Sequence, residues 1–224
     1  MKLLRHGLIG QEKPGIFDDG GNIRDLSGIV NDIGGITLLP ESLGRLSDIP
    51  LNSLPIVSPD TRIGPCVAGT GKFLCIGLNY ADHAAESNMP IPKEPVVFSK
   101  ATSAICGPYD NIVIPKGSTK TDWEVELGVV IGTAAKRVSQ ENALKHVAGY
   151  CIINDLSERD YQLQGTGQWI KGKSCDTFGP IGPWLVTADE IPDPQNLQLQ
   201  LEVDGHCYQK GNTNTMVFIV DYLV

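Results

Sequence analysis

Short apolar runs alternate with clusters of turn residues along most of the chain, a pattern typical of a mainly β protein. Residues 73–77, 95–98, 124–132, 147–156 and 198–203 each suit a strand, and the chain from 216 onward suits a strand or the start of a helix. The best helix is predicted over 139–147, with Ser139 as its N-cap. With 25 Gly and 15 Pro, the pattern predicts an α+β fold: a rolled, mixed, barrel-like sheet with few short helices.

A change in composition near residue 65 predicts a domain boundary. Residues 47–65 are rich in Ser and Pro and suit an extended connector, while 1–46 hold turn clusters and few groups suited to catalysis. We therefore expect a small N-terminal scaffold domain with its connector over 1–65, and a catalytic domain over 66–224.

Composition narrows the function classes. The net charge is −8, with no run of Lys or Arg, so nucleic acid and anionic membrane surfaces are poor partners. The six cysteines form no C-x-x-C pair, the first residues lack a signal-peptide apolar region, and no apolar stretch reaches the ~20 residues of a membrane helix. These features predict a soluble, cytoplasmic protein with reduced cysteines.

Two carboxylates lie on one face of a predicted strand. Glu124 and Glu126 are two residues apart, so their side chains point the same way, and the strand continues into an apolar run. A divalent cation would offset both their mutual repulsion and their desolvation. The alternative is an exposed strand with two ordinary surface glutamates. Asp155, at the end of the apolar strand 147–156, would supply a third oxygen, and three carboxylates suit Mg²⁺, Mn²⁺ or Ca²⁺.

Other candidate groups lie between and after these strands. His83 and Glu86 are three residues apart, so on a helical turn the carboxylate could orient the imidazole as a general base. Such pairs are also common on exposed helices. Lys100 and Lys173 are the candidate cations for an anionic substrate, and Arg159 with Asp160 is interpreted as a structural ion pair.

Five segments together resemble the fumarylacetoacetate hydrolase family. They are GLNYADHAAE (77–86), PVVFSK (95–100), EVELG (124–128), DLSERDYQ (155–162) and KSCDTFGPIGP (173–183). The resemblance runs from about residue 72 to the end, and five segments in register make it specific.

The resemblance implies a rolled-sheet catalytic domain, a homodimer, and bound Mg²⁺ or Mn²⁺. Its residue matches assign metal ligation to Glu124, Glu126 and Asp155, catalysis to His83, Glu86 and Lys173, and substrate contacts to Gln162 and Tyr80. Family members continue past residue 224 with further strands and a Gly-Thr-Pro loop, which this sequence does not include.

The implied chemistry is action on a small 2-oxo or 2,4-dioxo acid through a metal-stabilised enolate. C–C hydrolysis or decarboxylation is the first expectation. Isomerisation of a 2-hydroxyhepta-2,4-diene-1,7-dioate and ureidoglycolate cleavage are the alternatives. The expectation from a different class is an inactive, metal-binding homologue without the last strands of the family.

Overall fold

The largest sheet is built from both ends of the chain. The computed structural model describes residues 1–82 and 90–224. The strand order is β3-β2-β1-β11-β9-β8, with β6 paired to β11. The strands of this sheet are β1 (Lys2–His6), β2 (Lys13–Phe17), β3 (Ile23–Asp25), β6 (Ile105–Cys106), β8 (Val125–Ile131), β9 (Val147–Asn154) and β11 (Gly179–Thr187).

Three two-stranded sheets complete the β structure of the described residues: β4–β5, β7–β10 and β12–β13. Their strands are β4 (Phe73–Gly77), β5 (Val96–Lys100), β7 (Thr121–Asp122), β10 (Ser157–Glu158), β12 (Gln198–Val203) and β13 (His206–Asn212). The mainly β prediction is confirmed. Over the described ranges the sheets stay open and form no closed barrel.

The helices are short. They are α1 (Pro40–Ser47), α2 (Gln140–Ala143), α3 (Arg159–Leu163), α4 (Ile170–Lys173) and α5 (Val220–Leu223), with Ala81 and Asp82 also helical. Single 3-10 turns lie at Gly35–Leu38, Leu51–Ser53, Thr102–Ala104, Leu144–His146, Ala188–Glu190 and Thr213–Thr215. Within the described residues no helix has the length and apolar character needed to cross a membrane.

Two local predictions need correction. The helix expected over 139–147 is split into α2 and a 3-10 turn. Ser139 precedes α2, but its hydroxyl accepts a hydrogen bond from the Asn142 side chain instead of capping a backbone N–H. The strand at 73–77 is less buried than its apolar sequence suggests. Leu74 is 61% exposed and Val97, on the same face of the β4–β5 sheet, is 59% exposed, so this face is largely open to solvent.

The main core lies against β1, β9 and β11. Leu3, Leu185 and Ile153 are buried there with side chains from α1 and the connector. Gly128 on β8 lies above this core, where an added Cβ would lie 2.7 Å from Cys151 Sγ and 2.8 Å from Ile153 Cγ1. The face of β8 and β9 that carries Gly128 is therefore the face packed on the main core.

The strands before residue 65 share a sheet with later strands. β1 pairs antiparallel with β11, matching Lys2 with Val186 and Leu3 with Leu185. Arg62 in the connector also pairs with Asp110, at an Nη2–Oδ2 distance of 2.6 Å. The N-terminal segment thus contributes directly to the sheet that carries the later strands, and the division at residue 65 stays a prediction.

Gly149→Ala is expected to destabilise the sheet, because an added Cβ would overlap the Val186 carbonyl oxygen across the β9–β11 pairing. Overpacking a close backbone contact costs about 1–3 kcal/mol or more. Gly28→Ala is the matched control, since no atom lies within 4 Å of its added Cβ. Urea unfolding curves would show a lower midpoint for Gly149→Ala alone, and equal midpoints for the two variants would contradict the prediction.

Candidate active site

The pairing of β8 with β9 brings the three predicted carboxylates together. Glu126 lies opposite Ile153 in the register, and the Asp155 N–H donates to the Glu124 carbonyl over 2.9 Å. Because side chains alternate along strands, Glu124, Glu126 and Asp155 share the face that carries Gly128. The cluster therefore lies where the main core face ends at the strand tips.

Lys173 joins two of these carboxylates. Its Nζ donates to Glu124 Oε2 over 2.7 Å and to Asp155 Oδ2 over 2.8 Å, and its side chain is 3% exposed. The ammonium also lies 5.2 Å from the centre of the Phe98 ring. Lys173 ends the short helix α4, so packing of that helix, including Gly172 against α3, sets where the ammonium lies.

Lys100 holds the other side of Asp155. Its fully buried Nζ donates to Asp155 Oδ1 over 2.5 Å and to the Leu156 carbonyl over 2.9 Å. Phe98 and Lys100 are two residues apart on β5, so both point from that strand toward the carboxylates. Desolvation lowers the pKa of Lys100, while the Coulombic attraction of Asp155 acts in the opposite direction.

Arg159 is a third cation at the cluster, and it pairs with Glu124 and with Asp122. Its Nη2 lies 2.6 Å from Glu124 Oε1 and 2.7 Å from Asp122 Oδ2, and its Nη1 donates to Gln162 Oε1 over 3.1 Å. The predicted Arg159–Asp160 ion pair is therefore wrong, because Asp160 lies exposed on the next helical position while two acidic groups from another segment reach the guanidinium.

Glu158 orders the turn that presents Arg159, and sequence reasoning missed it. Its buried carboxylate accepts from the backbone N–H of Tyr161 over 2.8 Å and of Lys120 over 3.0 Å, so it caps α3. Hydrogen bonds to these N–H groups lower its pKa against the opposing effect of desolvation. The signal in the sequence was an acidic residue three positions before Tyr161, which is the spacing of an N-cap.

Glu126 differs from the other two carboxylates. No described side chain donates a hydrogen bond to its carboxylate, and desolvation raises its pKa to about 8, followed by repulsion from Glu124 and Asp155. Lys173 opposes this shift without contacting Glu126. A cation bound beside Glu126 would compensate for the repulsion that no described residue neutralises by direct contact.

The two predicted substrate contacts lie nearby. The Tyr80 hydroxyl is buried and has no hydrogen-bond partner among residues 1–82 and 90–224. Desolvation, and then the charge of Glu126, raise the pKa of Tyr80. Gln162 is buried and held by Arg159. Tyr80 thus has an unused donor beside the carboxylates. His83 and Glu86 lie outside the described residues.

The donor set fits a hard divalent ion, since all three candidate ligands are carboxylates. Within residues 1–82 and 90–224, no group of three His, Cys, Asp or Glu side chains is arranged to hold a metal as it stands. The ammonium of Lys173 lies between Glu124 and Asp155 and pairs with both carboxylates, where a bound metal ion would otherwise supply the positive charge. Metal binding would therefore require Lys173 to move away from at least one of these oxygens.

Comparison with known proteins defines the class. Residues 72–224 match the family model described as Fumarylacetoacetate (FAA) hydrolase C-terminal, and the chain belongs to this family. A Burkholderia ambifaria protein named "Putative hydrolase" is 66% identical over all 224 residues, which cover 79% of its length.

Solved structures share the fold over the whole chain. Fumarylacetoacetate hydrolase from Exiguobacterium antarcticum is 33% identical with a TM-score of 0.85, and 79% of it is covered. Maleylpyruvate hydrolase from Sphingobium sp. SYK-6, in complex with manganese(II) and pyruvate, is 25% identical with a TM-score of 0.82, and 81% is covered. A 5-carboxymethyl-2-hydroxymuconate delta-isomerase from Mycobacterium smegmatis is 29% identical with a TM-score of 0.74, and 79% is covered. Hydrolases and an isomerase therefore share this architecture.

Proposed function

We propose that the protein is a divalent-metal-dependent enzyme that acts on a small 2-oxo or 2,4-dioxo acid. The observation that carries the proposal is the carboxylate cluster at the β8 and β9 tips. Glu124 and Asp155 are already bound to a buried ammonium there, whereas the Glu126 carboxylate accepts no hydrogen bond from a described side chain and has its pKa raised to about 8. Such a cluster lowers its free energy by binding a cation.

Glu124, Glu126 and Asp155 would hold Mg²⁺ or Mn²⁺, with Ca²⁺ as a further candidate. When bound, the ion would supply positive charge for an oxo acid that chelates through its carboxylate and 2-oxygen, and for the negative charge that develops on that oxygen. The manganese(II) and pyruvate in the related maleylpyruvate hydrolase support this combination of ion and 2-oxo acid.

Other side chains of the site would bind and orient the substrate and move the proton. Lys173, displaced from Glu124 or Asp155, would bind the anionic substrate and balance charge as it develops. The Tyr80 hydroxyl, which has no hydrogen-bond partner in the part of the chain that the structure describes, and the Gln162 amide would fix the orientation of the substrate oxygens. His83, oriented by Glu86, would activate water or move the proton.

C–C hydrolysis of an acylpyruvate, or decarboxylation of an oxo-diacid, is the first candidate reaction. The related hydrolases support the hydrolytic reaction. Isomerisation of a hydroxy-diene dioate is the second, supported by the related delta-isomerase. Ureidoglycolate cleavage is the third. We further propose that the protein is cytoplasmic, as the composition predicts, and that it is a homodimer, as the family resemblance implies.

A substrate panel tests the proposal: acylpyruvates, oxaloacetate, a 2-hydroxyhepta-2,4-diene-1,7-dioate and ureidoglycolate, each assayed with Mg²⁺, with Mn²⁺ and with EDTA. We expect turnover of an oxo acid that EDTA abolishes and either ion restores. Turnover that persists in EDTA would contradict the metal role. Mn²⁺ binding with no turnover of any panel member would favour the inactive metal-binding homologue.

A further inference from the structure

The two oxygens of Asp155 face different surroundings. Oδ2 accepts from Lys173, which also contacts Glu124, so this oxygen faces the carboxylate cluster. Oδ1 accepts from Lys100, whose other contact is the Leu156 carbonyl. Lys100 therefore binds Asp155 on the side away from Glu124, and its ammonium forms no hydrogen bond or ion pair with Glu124 or Glu126.

Lys100 is held in place more firmly than an ordinary lysine. Its side chain has no exposed surface, and its strand β5 is fixed by the pairing with β4, in which Lys100 lies opposite Phe73. Two acceptors, Asp155 Oδ1 and the Leu156 carbonyl, fix the direction of its ammonium. A charged group this buried is stable only with such partners, so its position is determined by the fold.

We propose that Lys100 is a positioning residue that reserves Oδ1 of Asp155 and leaves only Oδ2 for ligation. This inference rests on the proposed metal-dependent function. A carboxylate binds cations through one oxygen or through two. A second oxygen from Asp155 would take a coordination position that a chelating oxo acid needs. Lys100 thus keeps coordination positions of the ion open for the substrate, although Lys100 itself does not contact the substrate.

If Lys100 has this role, its replacement should change both the Mn²⁺ affinity and the number of waters on the bound ion. Removing the Lys100 charge removes a repulsive cation near the metal ligands, so Mn²⁺ affinity should rise, by about tenfold or more. Freeing Oδ1 should at the same time add a second Asp155 oxygen to the ion and displace one coordinated water. Replacing a lysine that only supported the fold would not both raise the Mn²⁺ affinity and remove a coordinated water.

The test uses the full-length protein with Lys100→Met, and Lys171→Met as the control. Lys171 is exposed and lies two residues before Lys173 on the same short helix. Mn²⁺ affinity is measured by calorimetry, and the number of exchangeable waters on bound Mn²⁺ by water-proton relaxation. The affinity of the Mn²⁺-loaded protein for oxalate, a two-oxygen dianion, is measured by competition.

For Lys100→Met we expect tighter Mn²⁺ binding, about one fewer exchangeable water, and oxalate binding weakened about tenfold or more. Lys171→Met should match the wild type in all three. Unchanged water number and oxalate affinity in Lys100→Met would overturn the positioning role while leaving the proposed function intact. Wild-type protein that takes up no Mn²⁺ would overturn the proposed function, and the role of Lys100 with it.

Lys100→Gln covers the case in which the methionine variant does not fold. Its amide still offers N–H donors to the two buried acceptors, but it carries no charge and therefore binds Asp155 Oδ1 less strongly than the ammonium does. The same tighter Mn²⁺ binding and loss of one water are expected. Wild-type values for both quantities would overturn the inference.

Discussion

His83→Ala is expected to lower kcat on the oxo-acid substrate by about 10²–10⁴-fold, the usual contribution of a positioned acid–base group. Glu86, three residues later, would orient the imidazole and raise its basicity. The proposed ligands are all carboxylates, so Mn²⁺ affinity should stay within about twofold of the wild type. Steady-state kinetics and calorimetry measure the two quantities separately.

His206→Ala is the matched control, because His206 is exposed and its ring contacts Tyr208 rather than the carboxylates. It should keep wild-type kcat. Loss of Mn²⁺ binding together with activity in His83→Ala would show that His83 is a ligand and not a general base. Full activity in that variant would remove His83 from the mechanism.

Glu126→Gln is expected to stabilise the metal-free protein at pH 8 and to abolish its stabilisation by Mn²⁺. The pKa of Glu126 is raised from 4.5 to about 8, so this residue favours the folded state while it is protonated. Its contribution is fully present below about pH 4.5 and is lost as the pH rises through about 8. Glutamine mimics the protonated form at every pH.

The gain in the free energy of unfolding at pH 8 should be about 2–4 kcal/mol, given about 1.4 kcal/mol for each unit of pKa shift and some relaxation of the site. In a chain of this size that raises Tm by about 5–15 °C. The difference from wild type should grow steadily between pH 5 and pH 8 in EDTA. Thermal unfolding followed by circular dichroism, with and without Mn²⁺, measures both effects.

Glu202→Gln is the control for removing one negative charge, since Glu202 is exposed on β12. Its Tm should follow the wild type at each pH and rise with Mn²⁺. A Glu126→Gln variant that is still stabilised by Mn²⁺ would remove Glu126 from the ligand set. A constant Tm difference from pH 5 to pH 8 would contradict the raised pKa.

Local patterns predicted the parts of the site that depend on one strand. The two-residue spacing of Glu124 and Glu126 placed them on one face, and the apolar run before Asp155 placed that residue at a strand tip. Those predictions needed only the alternation of side chains along a strand.

The partners of the carboxylates depend on packing between distant segments. Lys173 reaches Glu124 across 49 positions and Lys100 reaches Asp155 across 55. Arg159 bonds Asp122 rather than its neighbour Asp160, because the β7–β10 pairing places Asp122 opposite Ser157, two residues before Arg159. The sequence identified Lys100 and Lys173 as candidate cations but carried no information on which carboxylate each one contacts.

The β1–β11 pairing determines when the large sheet can be completed during protein synthesis. β1 leaves the ribosome before its partner β11, which follows more than 170 residues later. Until then the nascent chain carries the β1–β2–β3 meander and the β8–β9 hairpin as separate pieces, each with an unpaired edge where β11 will insert. Such edges are sites of wrong strand pairing. Chains that end between residues 174 and 178 should therefore aggregate, even though they contain all three carboxylates and Lys173.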